Sequence, residues 1–231
     1  MHCLFTGFDP FDNAKTNPSQ QAVERLGDKL ALVDGTEARV LTAVPPTAGN
    51  AAWDVLQKAV AGVPADEPFA LVMCGLAGDR ERISLERFAL NVRDYPIADN
   101  RGDQWRDETI VPGAADAFQA KAELPAMLAK LEEKGVQACI SYHAGTFICN
   151  ETYFRALEKW GADERCVGIV FVHVPSLENY AKWLGVTDNV IAMAGAGENW
   201  EKTREQVLDH YAMVLEEAAK FMCTKKSAAK V

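Results

Sequence analysis

The sequence predicts an α/β fold: a three-layer α/β/α sandwich whose open, mostly parallel twisted sheet carries helices on both faces. Three observations lead there. Strand-like and helix-like segments alternate along the chain, the order that builds βαβ units. Two apolar runs, 69–74 and 167–174, are continuous rather than alternating, as strands buried on both faces require. No repeat, low-complexity block or shift in composition marks a linker, and 231 residues at 48% hydrophobic content suffice to bury one core.

The elements follow in order. Residues 2–7 form an apolar run closed by glycine, a first strand. Asn17 and Pro18 supply a helix cap and a first-turn proline, and Ala22, Val23 and Leu26 keep helical spacing across 19–29. Residues 38–44 read as a strand. Residues 48–61 read as a helix with Ala51, Val55, Leu56 and Val60 on one side. After the run 69–74, residues 83–92 are strand-like. Residues 123–134 are helical and end at Gly135, a C-cap. Residues 136–142 are a strand, 149–160 a helix, 167–174 a strand and 199–221 a long amphipathic helix. The folded domain is expected over 1–222, with 223–231 as a flexible basic tail. Sheets of this kind bind ligands beyond the C-terminal ends of their strands, which directs attention to 7–12, 75–80, 143–149 and 173–175.

Composition narrows the function. A formal net charge of -9 argues against a phosphate-binding surface, and no basic stripe for nucleic acid is present outside the tail at 220–230. No apolar run approaches the roughly 20 residues that cross a bilayer. Residues 1–7 lack a basic leader region and a small-residue cleavage site, so they read as a strand and not a signal peptide. A cytosolic location with reduced thiols is expected. The six cysteines include no CxxC pair, and the four histidines are scattered, so a zinc site is not expected.

One cysteine stands apart. A strand ends near Tyr142, Ala144, Gly145 and Thr146 form a turn, and Cys149 falls at the start of the following helix. There the helix dipole is expected to lower the thiol's pKa, and the free N–H groups of the first turn are placed to receive an oxyanion. A buried thiol packing the first turn is the alternative. A thiol nucleophile needs a base held by a third polar group. His173 ends the apolar run 167–172 and emerges at a strand end, so it is the first candidate, with His143 as rival. Glu86 shares a strand face with Phe88 and Leu90, where a carboxylate needs a partner. An imidazolium would serve, and so would Arg80 or Arg82.

These residues resemble a known pattern. Thr6 to Phe11 followed by Asn17, Pro18 and Ser19 resembles the opening of the pyroglutamyl peptidase I (pyrrolidone-carboxylate peptidase) family of cysteine peptidases. Ala144 to Asn150 resembles the segment around that family's nucleophile, Val172 to Pro175 its histidine segment, and Glu86 to Asn91 its acidic segment. Asp99, Asn100, Pro112 and Gly113 fall in step. The resemblance implies removal of an N-terminal pyroglutamyl (5-oxoproline) residue from peptides by a homo-oligomer, commonly a tetramer, with no cofactor or metal. It implies Cys149 as nucleophile, His173 as general base and acid, and Glu86 as the group orienting His173. Phe8 and Phe11 would flank the lactam ring, and Asn17 and Leu76 would border the substrate.

This chain departs from the pattern at three places. Asp12 and Asn13 stand where the family commonly has Gly-Gly. Gly75, Leu76, Ala77 and Gly78 stand for Gly-Gln-Ala-Gly, so a polar side chain near the substrate is replaced. Pro96 aligns with a usual arginine. These departures keep two alternatives open: a cysteine amidase or related hydrolase of different acyl specificity, and a non-catalytic protein that binds pyroglutamyl ends. The polar segment 96–113, long and without regular pattern, is expected to border the site. Cys74, also at a strand end, is a second thiol of open reactivity.

Overall fold

The chain runs β1 (His2–Thr6), α1 (Pro18–Val23), β2 (Lys29–Ala31), β3 (Glu37–Ala43), α2 (Gly49–Ala61), β4 (Phe69–Leu76), β5 (Ile83–Leu90), β6 (Ala117–Gln119), α3 (Leu124–Glu133), β7 (Ala138–His143), α4 (Ile148–Trp160), β8 (Cys166–Val174), α5 (Leu177–Trp183) and α6 (Glu198–Ala228). This computed structural model describes residues 1–185 and 198–228. All eight strands join one sheet in the order β2-β3-β1-β4-β8-β5-β6, with β7 pairing β5. Helices α2 and α4 pack on one face, and α1, α3, α5 and α6 on the other, the three layers that the alternation predicts.

The central strands explain the continuous apolar runs. β1 is buried along its whole length, β4 up to Gly75, and β8 at every position but Val167. β8 lies between α4 and α6. Its approach to α6 is close at Gly168, where a Cβ would stand 2.4 Å from the Met222 Sδ. A side chain at this position would have to displace Met222.

The sheet is less uniformly parallel than the sequence suggests. Among the described strands, β1 pairs in parallel with β3 and β4, β4 with β8, and β5 with β7. However, β5 runs antiparallel to β8, and the three-residue strands β2 and β6 are also antiparallel to their neighbours. Strand direction is a property of chain routing, which no local pattern carries.

The first helix is shorter than expected. It ends at Val23 and the chain turns into β2 instead of continuing to residue 29. At the other end the helix runs on to Ala228, and Cys223 is buried with its Sγ 3.5 Å from that of Cys3. The boundary expected at 222 therefore falls inside α6. Residues 229–231 of the expected tail lie outside the described residues.

Candidate active site

Four sheet and helix ends converge here. β8 carries His173 near its end, and Gly75 of β4 lies directly opposite it in register. Ser84 of β5 pairs His173 from the other side, two residues before Glu86. The first turn of α4 then sets Cys149 over Gly75, where an added Cβ would meet the thiol sulfur at 2.9 Å. The strand is thus bare of a side chain where the Cys149 thiol sits. Asn150 holds this turn in place. It is fully buried, its Oδ1 accepts from the Leu90 N–H at 2.8 Å, and its Nδ2 donates to the carbonyls of Leu90 and Val92, both at 2.9 Å. The helix that carries Cys149 is thereby tied to the end of the strand that bears Glu86.

Gly75→Ala tests that contact. The added methyl would press on both Cys149 and the Phe171 ring, each 2.9 Å away. We expect kcat/KM to fall on the order of 10²-fold, since an ångström of misplacement costs about that much. An unchanged kcat/KM would show that the sulfur is free to move aside.

Glu86 and His173 form a buried pair. The His173 Nδ1 lies 2.7 Å from the Glu86 Oε1, and the carboxylate is wholly buried. Arg80 reaches the same oxygen at 2.5 Å. The Tyr153 hydroxyl donates to the Glu86 backbone carbonyl at 3.1 Å. Ser141 stands opposite Glu86 in register on β7, but its hydroxyl donates to the His143 carbonyl at 3.3 Å, and the Glu86 Oε2 is buried with no hydrogen-bond partner. Burial by itself drives the Glu86 carboxyl up. The hydrogen bond and charge of His173, then the Ser141 hydroxyl beside it and last the charge of Arg80, outweigh burial and hold it below the usual carboxylate range.

The thiol itself differs from expectation. Burial pushes Cys149 up to about 12, and the Glu86 carboxylate pushes it the same way against the weaker pull of Arg80. The helix dipole does not lower it on balance, because loss of water around the sulfur outweighs one helix terminus. The resting thiol is therefore protonated, and no hydrogen bond joins it to the imidazole among the described residues. Such contacts commonly close only when substrate binds. The helix start does leave donors free. Phe147, the N-cap, makes no side-chain cap, and the first helical bond runs from the Glu151 N–H to the Phe147 carbonyl at 3.0 Å. The N–H groups of Ile148, Cys149 and Asn150 precede it.

Beside the thiol lies a small cleft of about 40 Å³, lined by Phe8, Phe11, Asn17, Leu76 and Phe147 together with Cys149. All four residues expected to border the substrate are therefore brought together. Asn17 is largely committed: its Oδ1 caps α1 by accepting from the Ser19 N–H and hydroxyl, and its Nδ2 donates one bond, to the Asp9 carbonyl at 3.0 Å, which leaves one amide N–H. Phe147 was not anticipated. Its ring stacks edge-on against Tyr95 at 4.7 Å and faces Phe11 at 6.2 Å, so it forms a third aromatic wall. Its position two residues before Cys149 was the available signal. The turn after Phe11 requires positive φ at both Asp12 (51°) and Asn13 (60°). That accounts for the family's Gly-Gly, and Asp and Asn are among the residues that tolerate this region.

The segment 96–113 does reach the site. Asn100 donates to the Pro10 carbonyl at 2.9 Å and to the Asp9 Oδ1 at 3.3 Å, and Thr47 bonds Asp9 through both its N–H and its hydroxyl. The loop carrying Phe8 and Phe11 is thus pinned from two sides. Pro96 is exposed. Arg93, three residues earlier, stacks over Trp105 at 3.7 Å and reaches the buried Glu151 at 3.5 Å.

The rival groups fall away on geometry. His143 pairs with Phe88 on β5 while His173 pairs with Ser84, a separation of about 13 Å along the strand. β7 runs opposite to β8, so its end lies at the other edge of the sheet. The His143 ring is exposed and its Nδ1 accepts from the Gly145 N–H at 3.2 Å. Cys74 precedes Gly75 on β4, so its side chain points to the opposite face. It is fully buried, and burial drives its thiol far up, which disfavours the reactive thiolate.

Known proteins match this chain in sequence and fold. The family model described as pyroglutamyl peptidase covers residues 1–187. A pyrrolidone-carboxylate peptidase of Bacillus subtilis is 36% identical over 173 residues, 74% of this chain and 77% of its own. One of Pyrococcus furiosus is 35% identical over 175 residues, covering 76% and 81%. Among solved structures, pyrrolidone carboxyl peptidase from Thermococcus litoralis superposes with a TM-score of 0.79 at 27% identity, covering 99% of this chain and 96% of that one. Pyroglutamyl peptidase I of Bacillus amyloliquefaciens gives 0.75 at 27% identity, covering 96% and 97%. With its family model spanning most of the sequence, and relatives more than 30% identical over three quarters of it, the chain belongs to the pyroglutamyl peptidase family of cysteine peptidases.

Proposed function

We propose that this cysteine peptidase removes an N-terminal pyroglutamyl residue from peptides, with Cys149 as nucleophile, His173 as base and acid, and Glu86 orienting His173. The observation that carries the reading is the Cys149 thiol lining a three-phenylalanine cleft, beside a buried His173–Glu86 pair. The lactam ring is flat, small and uncharged, so aromatic walls suit it. A prolyl end carries a charged amine, which would lose its water in that cleft without a counter-charge.

The Cys149 proton passes to His173 as the Sγ–C bond forms at the carbonyl that joins pyroglutamate to the next residue. Glu86 offsets the imidazolium charge that results. N–H groups of the first turn of α4 receive the oxyanion. His173 gives the proton to the departing amine as the C–N bond breaks, leaving a thioester. His173 then takes a proton from water, whose oxygen attacks the thioester carbonyl. The C–S bond breaks, the thiol regains its proton, and free pyroglutamate leaves.

The test is release of a fluorescent amine from a pyroglutamyl amide, beside the matching prolyl amide. Turnover of the first and none of the second is expected. Turnover only of another acyl amide would replace this reading with a cysteine amidase of different acyl specificity. Leu76 favours that second reading, since it lines the cleft where the family resemblance places a polar side chain.

We also infer a cytosolic location, where a nucleophilic thiol stays reduced, and assembly into a homo-oligomer, a tetramer or dimer. Tyr142 on β7 is 71% exposed, which supports a protein surface there. No described helix is long and apolar enough to cross a membrane. A sedimentation mass equal to one chain at micromolar concentration would overturn the assembly.

A further inference from the structure

Arg80 has no part in the chemistry above, yet it is built into the site. It lies in the turn between β4 and β5. That turn is held at one end by the Ala77 N–H on the Val174 carbonyl at 2.9 Å. It is held at the other by Asn179 of α5, whose Nδ2 donates to the carbonyls of Gly78 at 2.9 Å and Arg80 at 3.4 Å. Within the turn the Arg80 N–H bonds the Ala77 carbonyl at 3.0 Å. The guanidinium so delivered meets the Glu86 Oε1 at 2.5 Å, the oxygen that His173 uses and not the unpartnered Oε2.

We propose that Arg80 is a positioning residue that acts through Glu86: by sharing Oε1 with His173 it keeps the carboxylate ionised and limits how firmly that carboxylate holds a proton on the imidazole. The proposal rests on the reading of His173 as the base. A bare carboxylate in a buried site would favour the imidazolium strongly, and a histidine already carrying a proton cannot take one from Cys149. Arg80 gives Glu86 a permanent cation on the same oxygen that faces His173, so the carboxylate's charge is shared between two partners.

The other groups facing the pair do not duplicate this. Cys149 and Tyr153 of α4 are held protonated by burial, and Ser141 of β7 is neutral. Glu81 and Arg82, of opposite charge, line the outer cleft beside Arg80 and are exposed to solvent. The Arg80 side chain is 28% exposed, so its effect is moderated by solvent.

The experiment follows the ring carbon signal of ¹³C-labelled His173 by NMR against pH, in the full chain carrying Cys149→Ala. Adding Arg80→Met should raise the midpoint of that titration by about one unit, while Arg80→Lys leaves it near the parent. In the enzyme with Cys149 intact, the acidic limb of kcat/KM should move the same way. Asn179→Ala, which loosens the turn without touching Glu86, should give a smaller rise and serves if Arg80→Met fails to fold. A midpoint that stays put or falls in the folded variants would overturn the proposal and leave Arg80 as an ordinary ion pair. Failure of pyroglutamyl turnover in the parent would sink the substrate reading instead, and would leave the midpoint shift measurable.

Discussion

Cys149→Ala is expected to lower kcat for a pyroglutamyl amide on the order of 10⁶-fold, the scale on which removing a triad nucleophile acts. The unfolding temperature should fall by no more than a few degrees. Both halves follow from where the sulfur sits. It rests over the bare backbone of Gly75 and near the Phe171 ring, so alanine leaves a small gap and exposes no polar partner. A gap of that size costs about 1 kcal/mol, which is a few degrees for a domain of this length. Cys74→Ala supplies the contrast. One residue before Gly75 and buried on the opposite face, it should lower the unfolding temperature and keep turnover. Comparable turnover in Cys149→Ala and in the parent enzyme would remove the thiol from the mechanism.

Glu86→Gln is expected to cost on the order of 10³-fold in kcat or more, by analogy with loss of the buried carboxylate in serine-protease triads. Glutamine can still accept from the His173 Nδ1, so the ring keeps its place. It carries no charge to balance the imidazolium that forms when Cys149 gives up its proton, and Arg80 is left facing a neutral group. Stability offers an independent reading. The Glu86 carboxyl is held below its ordinary range by His173 and Arg80 despite burial. Its contribution is therefore fully present above the unfolded value of about 4.3, and is lost as pH falls through the depressed folded value. The gap in unfolding temperature between the parent and the glutamine variant should be widest above about pH 5 and close as the solution is acidified. A gap independent of pH would mean that the carboxylate is not held as described.

Much of this was legible in the residues. The buried runs that became β4 and β8, and the cysteine at a strand-to-helix turn, announce themselves through continuous hydrophobicity and a Gly-containing turn. What escaped has physical reasons. β2 and β6 have three residues each and α5 has seven, too short for any period to register. The reversal of β5 against β8 is set by routing, and it is what moves His143 to the far edge. The thiol's proton affinity could not be read from its place on the helix, because burial by Gly75, Phe171 and the cleft residues is a long-range fact. The tie from Asn150 to the end of β5, and the Tyr95 hydroxyl on the Glu151 Oε2 at 2.5 Å, join segments about 60 residues apart, a reach beyond any local pattern.

The long helix α6 has a bearing on how the protein is made. Cys149, His173 and Glu86 all precede residue 175, and the family model ends at residue 187. Val207, Leu208, Tyr211, Val214, Leu215, Ala218 and Ala219 of α6 are buried against the sheet and its neighbouring helices. During synthesis from the N-terminus every proposed reacting group is present before this cover exists, and the part of β4 and β8 that α6 covers stands open to water. The groups proposed to do the chemistry are therefore translated first and wait for the stretch of chain that closes the core behind them.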